Sequence, residues 1–407
     1  MQPLGIATAA AHLVEADIEI QTIDASLVVP PMVSPGAKVV AFSVPLFDSL
    51  KPTLESVRDL RTDGYEGLIV LYGNYAMLNK ESLLGRYADA IILGDWETSL
   101  VEIARRASVG ASISSIANVA CSGATGATTY LRSGHLPPNR AGLPPLTAYR
   151  YAEVERRAGG AVVVGNVEAS RGCRFSCSYC SVFAAHHNKV VIQPLEVVIA
   201  DIDQLVEMGA EHICFVDAEF QNATKHAISI VAEMHARHPK LSFDFTSRAD
   251  LLAQDPDRLE MFVKCGARFV TTALEFPKQE VLDAMNKGFE VEAIGRAVGA
   301  CRKTGLGINP TFVLFNPWIE LEDLAMFEEF LERHDLHGEV EPIQMKTRLW
   351  LYRGSPLLRV AGVANRVSRE NEFNFEWRHR DGAVEGVYAK LSGSASADSS
   401  GRCCLKC

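Results

Sequence analysis

No stretch of this sequence approaches the roughly 18 consecutive apolar residues that a membrane helix needs, so a spanning segment is not expected. A secretory leader is not expected either. The apolar run over residues 7–13 has no basic segment before it, and Glu15 and Asp17 follow it. These absences point to a cytoplasmic protein with no membrane partner. Positive charge is also in short supply, with 40 Lys and Arg against 50 Asp and Glu and a net charge of −10. A nucleic-acid partner is therefore not expected, since phosphate backbones are gripped by clustered cations. No short-period repeat is visible, which sets solenoids and propellers aside.

What is present is the composition of a globular enzyme, 48% hydrophobic and 22% charged. At 407 residues the chain is long enough for two or three domains. Ten cysteines are many for a reducing compartment, where close groups of thiols read as metal or redox sites. Six fall into two groups, Cys173, Cys177 and Cys180, and Cys403, Cys404 and Cys407. Cys121, Cys214, Cys265 and Cys301 stand alone, and Cys214 sits in an apolar run where it reads as a small buried hydrophobe.

Over residues 1–110, strand-like runs at 18–23, 38–44, 67–72 and 88–93 alternate with helical patterns at 46–61, 79–86 and 97–106. Such alternation predicts a parallel sheet flanked by helices, in a Rossmann-like α/β domain. The loops beginning at Tyr72-Gly73-Asn74 and Leu93-Gly94-Asp95 would then face a ligand at the strand ends. Residues 111–155 are rich in Gly, Pro, Ser and Thr and read as a linker or a wrapped crossing segment. A second β/α series is expected over 156–355, with strands at 161–167, 212–216, 241–246, 268–274, 307–314 and 340–345. Six units suit a partial β/α barrel with its site at the strand C-terminal ends. Residues 356–407 form a C-terminal extension whose Ser-, Ala- and Gly-rich part predicts flexibility before the last three cysteines.

The first cysteine group has C-x3-C-x2-C spacing directly after a predicted strand, with Tyr179 before the third cysteine. Three thiolates on a tight loop can hold three irons of a four-iron cluster and leave the fourth open. A zinc knuckle would want a fourth ligand, for which only His186 and His187 could be offered. The spacing closely resembles that of the radical S-adenosylmethionine (SAM) family. The resemblance implies a [4Fe–4S] cluster on Cys173, Cys177 and Cys180 with SAM on the open iron. It further implies SAM contacts at successive strand ends, from Tyr179, Asp217 and Glu219, Ser247 and Arg248, and Glu275. The run Leu282 to Gly288 is similar to a segment of the methylthiotransferase-like branch, except that Phe276 stands where that branch has Ser.

The segments at Pro3-Leu4-Gly5, at Ile20 to Ala25 and at Ala88 to Glu97 resemble cobalamin-binding radical SAM proteins. No Asp-x-His-x-x-Gly loop is present, so the expectation is a retained fold in which bound cobalamin is the minority outcome.

Cys403, Cys404 and Cys407 place three soft thiols within five residues, suited to Zn(II), Cu(I), a second iron–sulfur cluster or As(III). Arsenite alone is content with three. A prenylation signal is excluded by Lys406, which stands where an aliphatic residue is required. An incidental or redox-active tail is the plain alternative. Barrel, N-terminal domain and terminal Arg-Cys-Cys-Leu-Lys-Cys together resemble the radical SAM enzymes of arsinothricin biosynthesis. That resemblance implies cleavage of SAM at its Cγ–S bond and transfer of a 3-amino-3-carboxypropyl group to arsenite held by the tail. An electron donor such as flavodoxin or ferredoxin is implied with it. The alternatives are a cobalamin-dependent radical SAM methylase, a methylthiotransferase-like enzyme whose tail holds an auxiliary cluster, and an arsenite-binding sensor or buffer.

Overall fold

The computed structural model describes residues 1–27, 32–130 and 135–393, so Cys403, Cys404 and Cys407 lie outside the described residues. The chain divides into two compact units. One comprises Met1–Val167 with Gln193–Glu211, the other Glu168–Ile192 with the described residues from His212 onward.

In the first unit, strands β1 (Val39–Ser43), β2 (Leu68–Tyr72), β3 (Ala90–Ile92) and β4 (Val119–Cys121) lie in that order. The first three are parallel, and β4 runs antiparallel to β3. Helices Leu4–Glu15, Phe47–Thr62 and Glu97–Ser108 alternate with them, as the hydrophobic periodicity predicts. Val70, Tyr72, Ile92, Leu100, Ile103 and Val119 share one core, and the near-continuous apolar run of β2 is buried, as in a sheet covered on both faces. Strand β5 (Val164–Val167) and helix Leu195–Glu207 complete this unit.

One expectation fails here, and one of two alternatives is decided. The strand expected over 18–23 does not form. Its exposure alternates, but alternation reports one-sided burial and not a ladder; here Gln21 donates to Met32 O and accepts from Ser34 instead. Residues 111–155 are not a bare linker. They contribute β4, and Arg140, 1% exposed, pairs with Asp201 at 2.8 Å while donating to Gln2 Oε1 at 2.9 Å and to Asn166 O at 2.7 Å. Gly and Pro remove periodicity from a sequence without removing the capacity to pack.

In the second unit β6 (Ser170–Gly172) and β7 (Val190–Ile192) form an antiparallel pair. Strands β8 (His212–Phe215), β9 (Ser242–Thr246), β10 (Ala267–Glu275) and β11 (Gly307–Phe312) follow in parallel register. Phe215, Phe220, Phe243, Phe245 and Phe262 stack between this sheet and its helices, with ring centroids 4.4 to 6.2 Å apart. The strand expected over 340–345 is absent. A 3-10 turn, Gln344–Lys346, stands there, and Gln344 Oε1 accepts from Phe312 N at 2.9 Å, so a side chain serves the edge of β11 in place of a strand. A small antiparallel sheet of β12 (Leu351–Tyr352), β13 (Val367–Glu370) and β14 (Asn374–Trp377), ordered β12-β14-β13, precedes helix Gly382–Gly393.

Candidate functional site

The cysteine loop leaves β6 at Gly172, whose φ is +90°. A Cβ there would lie 2.2 Å from Lys189 O, so only glycine closes this hairpin. Asn222 clamps the turn, donating to Gly172 O at 3.1 Å and accepting from Arg174 N at 3.2 Å. Asn188 donates to Arg174 O at 2.9 Å. Farther along, Ser178 N donates to Met285 O at 2.9 Å and Asn286 Nδ2 to Ser176 O at 2.8 Å, which ties the loop to the turn after helix Gln279–Ala284. Helix Ser181–His186 starts directly after Cys180.

All seven cysteines among the described residues are free, and Cys177 is buried while Cys173 and Cys180 are partly exposed. Among the described residues no three His, Cys, Asp or Glu side chains converge tightly enough to hold a single metal ion. A cubane asks for something else, one thiolate per iron, with the sulfurs spread around the cluster. Three thiols on one pinned loop fit that demand. Burial pushes the Cys173 thiol up to about 12, against an amide hydrogen bond from Phe175. Burial also raises Cys180, opposed by the amides of Phe183 and Val182 and by the Lys287 charge. Iron must displace these protons to bind.

The acids expected at the strand ends are present and buried, but the chain itself engages them. Asp217, after β8, accepts from Ala169 N at 2.9 Å, Ser170 N at 2.5 Å and Ser170 Oγ at 2.7 Å, and so anchors the start of β6. Burial lifts its carboxyl to about 7 despite these bonds. Glu219 accepts from Gln221 N at 2.8 Å, Ser247 Oγ at 2.9 Å and Arg248 N at 2.9 Å, and burial raises it as well. Arg248 pairs with Asp250 at 2.9 Å and donates from Nη1 to Cys177 Sγ at 3.5 Å. Glu275 closes β10 beside a bulge, at φ +60°. Left-handed backbone at a non-glycine residue is strained and persists only where its surroundings hold it. Here the holders are the Tyr179 hydroxyl, which donates to Glu275, and Lys287, paired with it at 2.8 Å.

The ends of β8, β9 and β10 thus bring Glu219, Ser247, Arg248 and Glu275 together with Lys287 and with Tyr179 of the cysteine loop, while Asp217 holds the start of β6. Buried polar atoms with no partner among the described residues remain beside it, Gln221 Oε1 after β8 and Thr246 Oγ1 at the end of β9. Such orphans are what a polar ligand at the strand ends would satisfy, and SAM fits that requirement.

Residues 167–332 match the Radical SAM superfamily. The match covers 166 of the chain's 407 residues. The second unit's parallel strands β8 to β11 lie within the matched residues, and the chain has the expected α/β fold of a Rossmann-like N-terminal part and a partial barrel. A bacteriochlorophyllide d C-8(2)-methyltransferase of Chlorobaculum tepidum is 25% identical over 290 residues, 66% of this chain and 57% of that protein. An uncharacterized methyltransferase of Pyrococcus horikoshii is 23% identical over 275 residues, 65% of this chain and 58% of that protein. This chain therefore spans under two thirds of the length of these relatives. Among solved structures, the radical SAM methyltransferase TsrM of Kitasatospora setae with tryptophan and a SAM analogue bound superposes with a TM-score of 0.70 at 18% identity, covering 82% of this chain and 69% of that one. OxsB, a cobalamin-dependent radical SAM enzyme with aqua-cobalamin bound, superposes at 0.68 and 17% identity, covering 87% of this chain and 57% of that one.

Cobalamin as the minority outcome finds no support in these neighbours, since OxsB and TsrM each have it bound in a solved structure. In this chain the glycines of the two loops expected to face a ligand meet the chain's own backbone. A Cβ on Gly73 would lie 2.8 Å from Val44 O, and one on Gly94 1.9 Å from Thr129 O. Both positions thus admit only glycine, because backbone segments approach closely there.

Sequence reasoning missed Lys287, Asn222 and Phe175 as parts of the site, and Tyr352, whose hydroxyl donates to Cys180 O at 3.0 Å. Lys287 had a signal, a lone cation in the Met285-Asn286-Lys287-Gly288 run after an acid-ended strand. Phe276, by contrast, is buried and stacks on Phe327 at 5.6 Å, which accounts for an aromatic residue in place of Ser.

No helix among the described residues is long and apolar enough to cross a membrane.

Proposed function

We propose that this chain is a radical SAM transferase, in which Cys173, Cys177 and Cys180 hold a [4Fe–4S] cluster and the strand-end network presents SAM to it. The observation that carries this reading is the pinned cysteine loop seated on Arg248, Lys287 and Glu275. A reduced cluster bound there supplies the single electron that opens a C–S bond of SAM. The chain's own part is to fix the loop, shield it from water and surround it with buried charge. An acidic electron carrier such as flavodoxin or ferredoxin is the partner this chemistry asks for.

Two transferred groups come into question. Likeness to TsrM, OxsB and the two methyltransferases favours methyl transfer with cobalamin in the first unit. One sequence feature favours the other, since Cys403, Cys404 and Cys407 form a three-thiol set suited to trivalent arsenic. On that reading the Cγ–S bond of SAM opens on uptake of one electron, 5′-methylthioadenosine leaves, and the 3-amino-3-carboxypropyl radical joins As(III). Return of one electron from arsenic takes it to As(V) as hydroxyarsinothricin, so the transfer is redox-neutral overall. The deciding experiment is mass spectrometry of SAM-derived products after anaerobic turnover with a reductant, with and without arsenite and cobalamin. S-adenosylhomocysteine that depends on cobalamin supports the methylase. Arsenite-dependent 5′-methylthioadenosine with an arsenic-bearing amino acid supports aminocarboxypropyl transfer. A chain that takes up no iron or sulfide and leaves SAM intact refutes both.

A further inference from the structure

Arg248 invites the role of gripping the SAM carboxylate, because it is a cation at the end of β9. Its surroundings point elsewhere. Nε donates to Asp250 Oδ1 at 2.9 Å, and Nη2 donates both to Asp250 Oδ2 at 3.2 Å and to Lys287 O. Nη1 donates to Cys177 Sγ at 3.5 Å. Phe175, within the cysteine loop, lies under the guanidinium at 3.8 Å, and Phe289 faces it at 5.2 Å. The backbone N–H of the same residue donates to Glu219. Four of the five guanidinium N–H groups are therefore committed within the protein. The plane is held between two rings, and its one contact with a reactive atom is with a cluster sulfur.

We propose that Arg248 is a positioning residue that orients Cys177 and raises the reduction potential of the cluster, and that it is not the grip on SAM. The inference rests on the cluster reading above. Reduction adds one negative charge to the cluster and its thiolates. A fixed guanidinium with an N–H aimed at one sulfur stabilises that charge more than the charge of the oxidised state, and the potential rises. Burial of the pair strengthens the effect, because screening by water is weak there.

The test uses the full chain, reconstituted anaerobically, with Arg248→Gln and Arg248→Lys. Iron and sulfide per chain, the midpoint potential by redox titration followed by EPR, and SAM affinity by equilibrium binding are measured for each. The expected result for Arg248→Gln is retained iron and near-parent SAM affinity. Its ratio of reduced to oxidised cluster at fixed potential should fall by about tenfold, equivalent to about 59 mV for one electron. Arg248→Lys should fall between parent and Gln, since it keeps the charge and loses the directed fork. Unchanged potentials with SAM affinity weakened about tenfold or more would overturn the inference and return Arg248 to the carboxylate. Should Arg248→Gln lose its iron, the Lys variant decides, with a lowered potential supporting the inference and an unchanged one overturning it. A parent chain that binds no cluster removes the premise, and is recognised because no variant is then involved.

Discussion

Lys287 and Glu275 are 2% and 3% exposed and pair at 2.8 Å, beside the strained turn that ends β10. Burial pulls the Lys287 ammonium down, but the charges of Glu275 and Cys177 outweigh it and hold the group above its ordinary range. Removing one partner leaves the other charge buried alone. Lys287→Met is therefore expected to destabilise the second unit by about 3–5 kcal/mol. Adding Glu275→Gln should recover much of that, because no buried charge is then left unpaired. Urea unfolding of the two variants measures it, and equal losses would show that the ion pair is not the cause. His186 offers a second residue-scale prediction. Burial lowers its imidazole from 6.5 to about 4, with the Arg171 and His187 charges acting in the same direction. Below pH 6.5 the unfolded chain takes up a proton that the folded one refuses, so stability is complete above pH 6.5 and is lost as pH falls toward 4. The loss reaches roughly 3 kcal/mol. His186→Gln should flatten the dependence of the urea midpoint on pH in that window, and an unaltered slope would count against this assignment.

At the scale of elements, the β6–β7 hairpin is the part on which the site depends most. It carries the cysteine loop, and its closure rests on one backbone conformation at Gly172. Gly172→Ala adds a Cβ 2.2 Å from Lys189 O at a φ of +90°, a collision with backbone that rotamer change cannot relieve. The expected outcome is a chain that keeps its far-ultraviolet circular dichroism and takes up much less iron and sulfide than the parent. Full iron uptake by the alanine variant would mean that the hairpin can reclose in another form. The helices between strands were legible because their apolar stripes recur at helical spacing, and β1, β2, β3 and β8 to β11 because apolar runs between turn signals leave little choice. The strand expected over 340–345 was not legible as a turn. What stands there is a 3-10 turn whose Gln344 side chain accepts from Phe312 N, a contact that no periodicity announces.

For the whole molecule, the question is whether the tail belongs to the reaction. A chain ending at Gly393 keeps every described residue of the cysteine loop and strand-end network. It is expected to bind its cluster and cleave SAM at near the parent rate. If arsenic is the acceptor, arsenic-bearing product should vanish while SAM cleavage continues, as read by mass spectrometry of both products. If a methyl group is transferred to another acceptor, truncation should change neither.

By itself the sequence determined where the candidate centre lies. Three cysteines at C-x3-C-x2-C spacing specify their loop because the spacing is local, and a β/α alternation specifies a parallel sheet because burial on both faces leaves a one-dimensional imprint. It also located acids and an arginine at successive strand ends. What only the tertiary structure decided is which way those groups turn. Asp217 and Glu219 face amides of their own chain, Arg248 faces Cys177, and Lys287 and Tyr179 meet on Glu275. These partners lie from 29 to 96 residues apart, except the Lys287–Glu275 pair at 12 and the Gln221 amide on Glu219 at 2. Contacts of that range are set by how strands and loops stack, and pairings of buried charge carry no periodic signal along the chain.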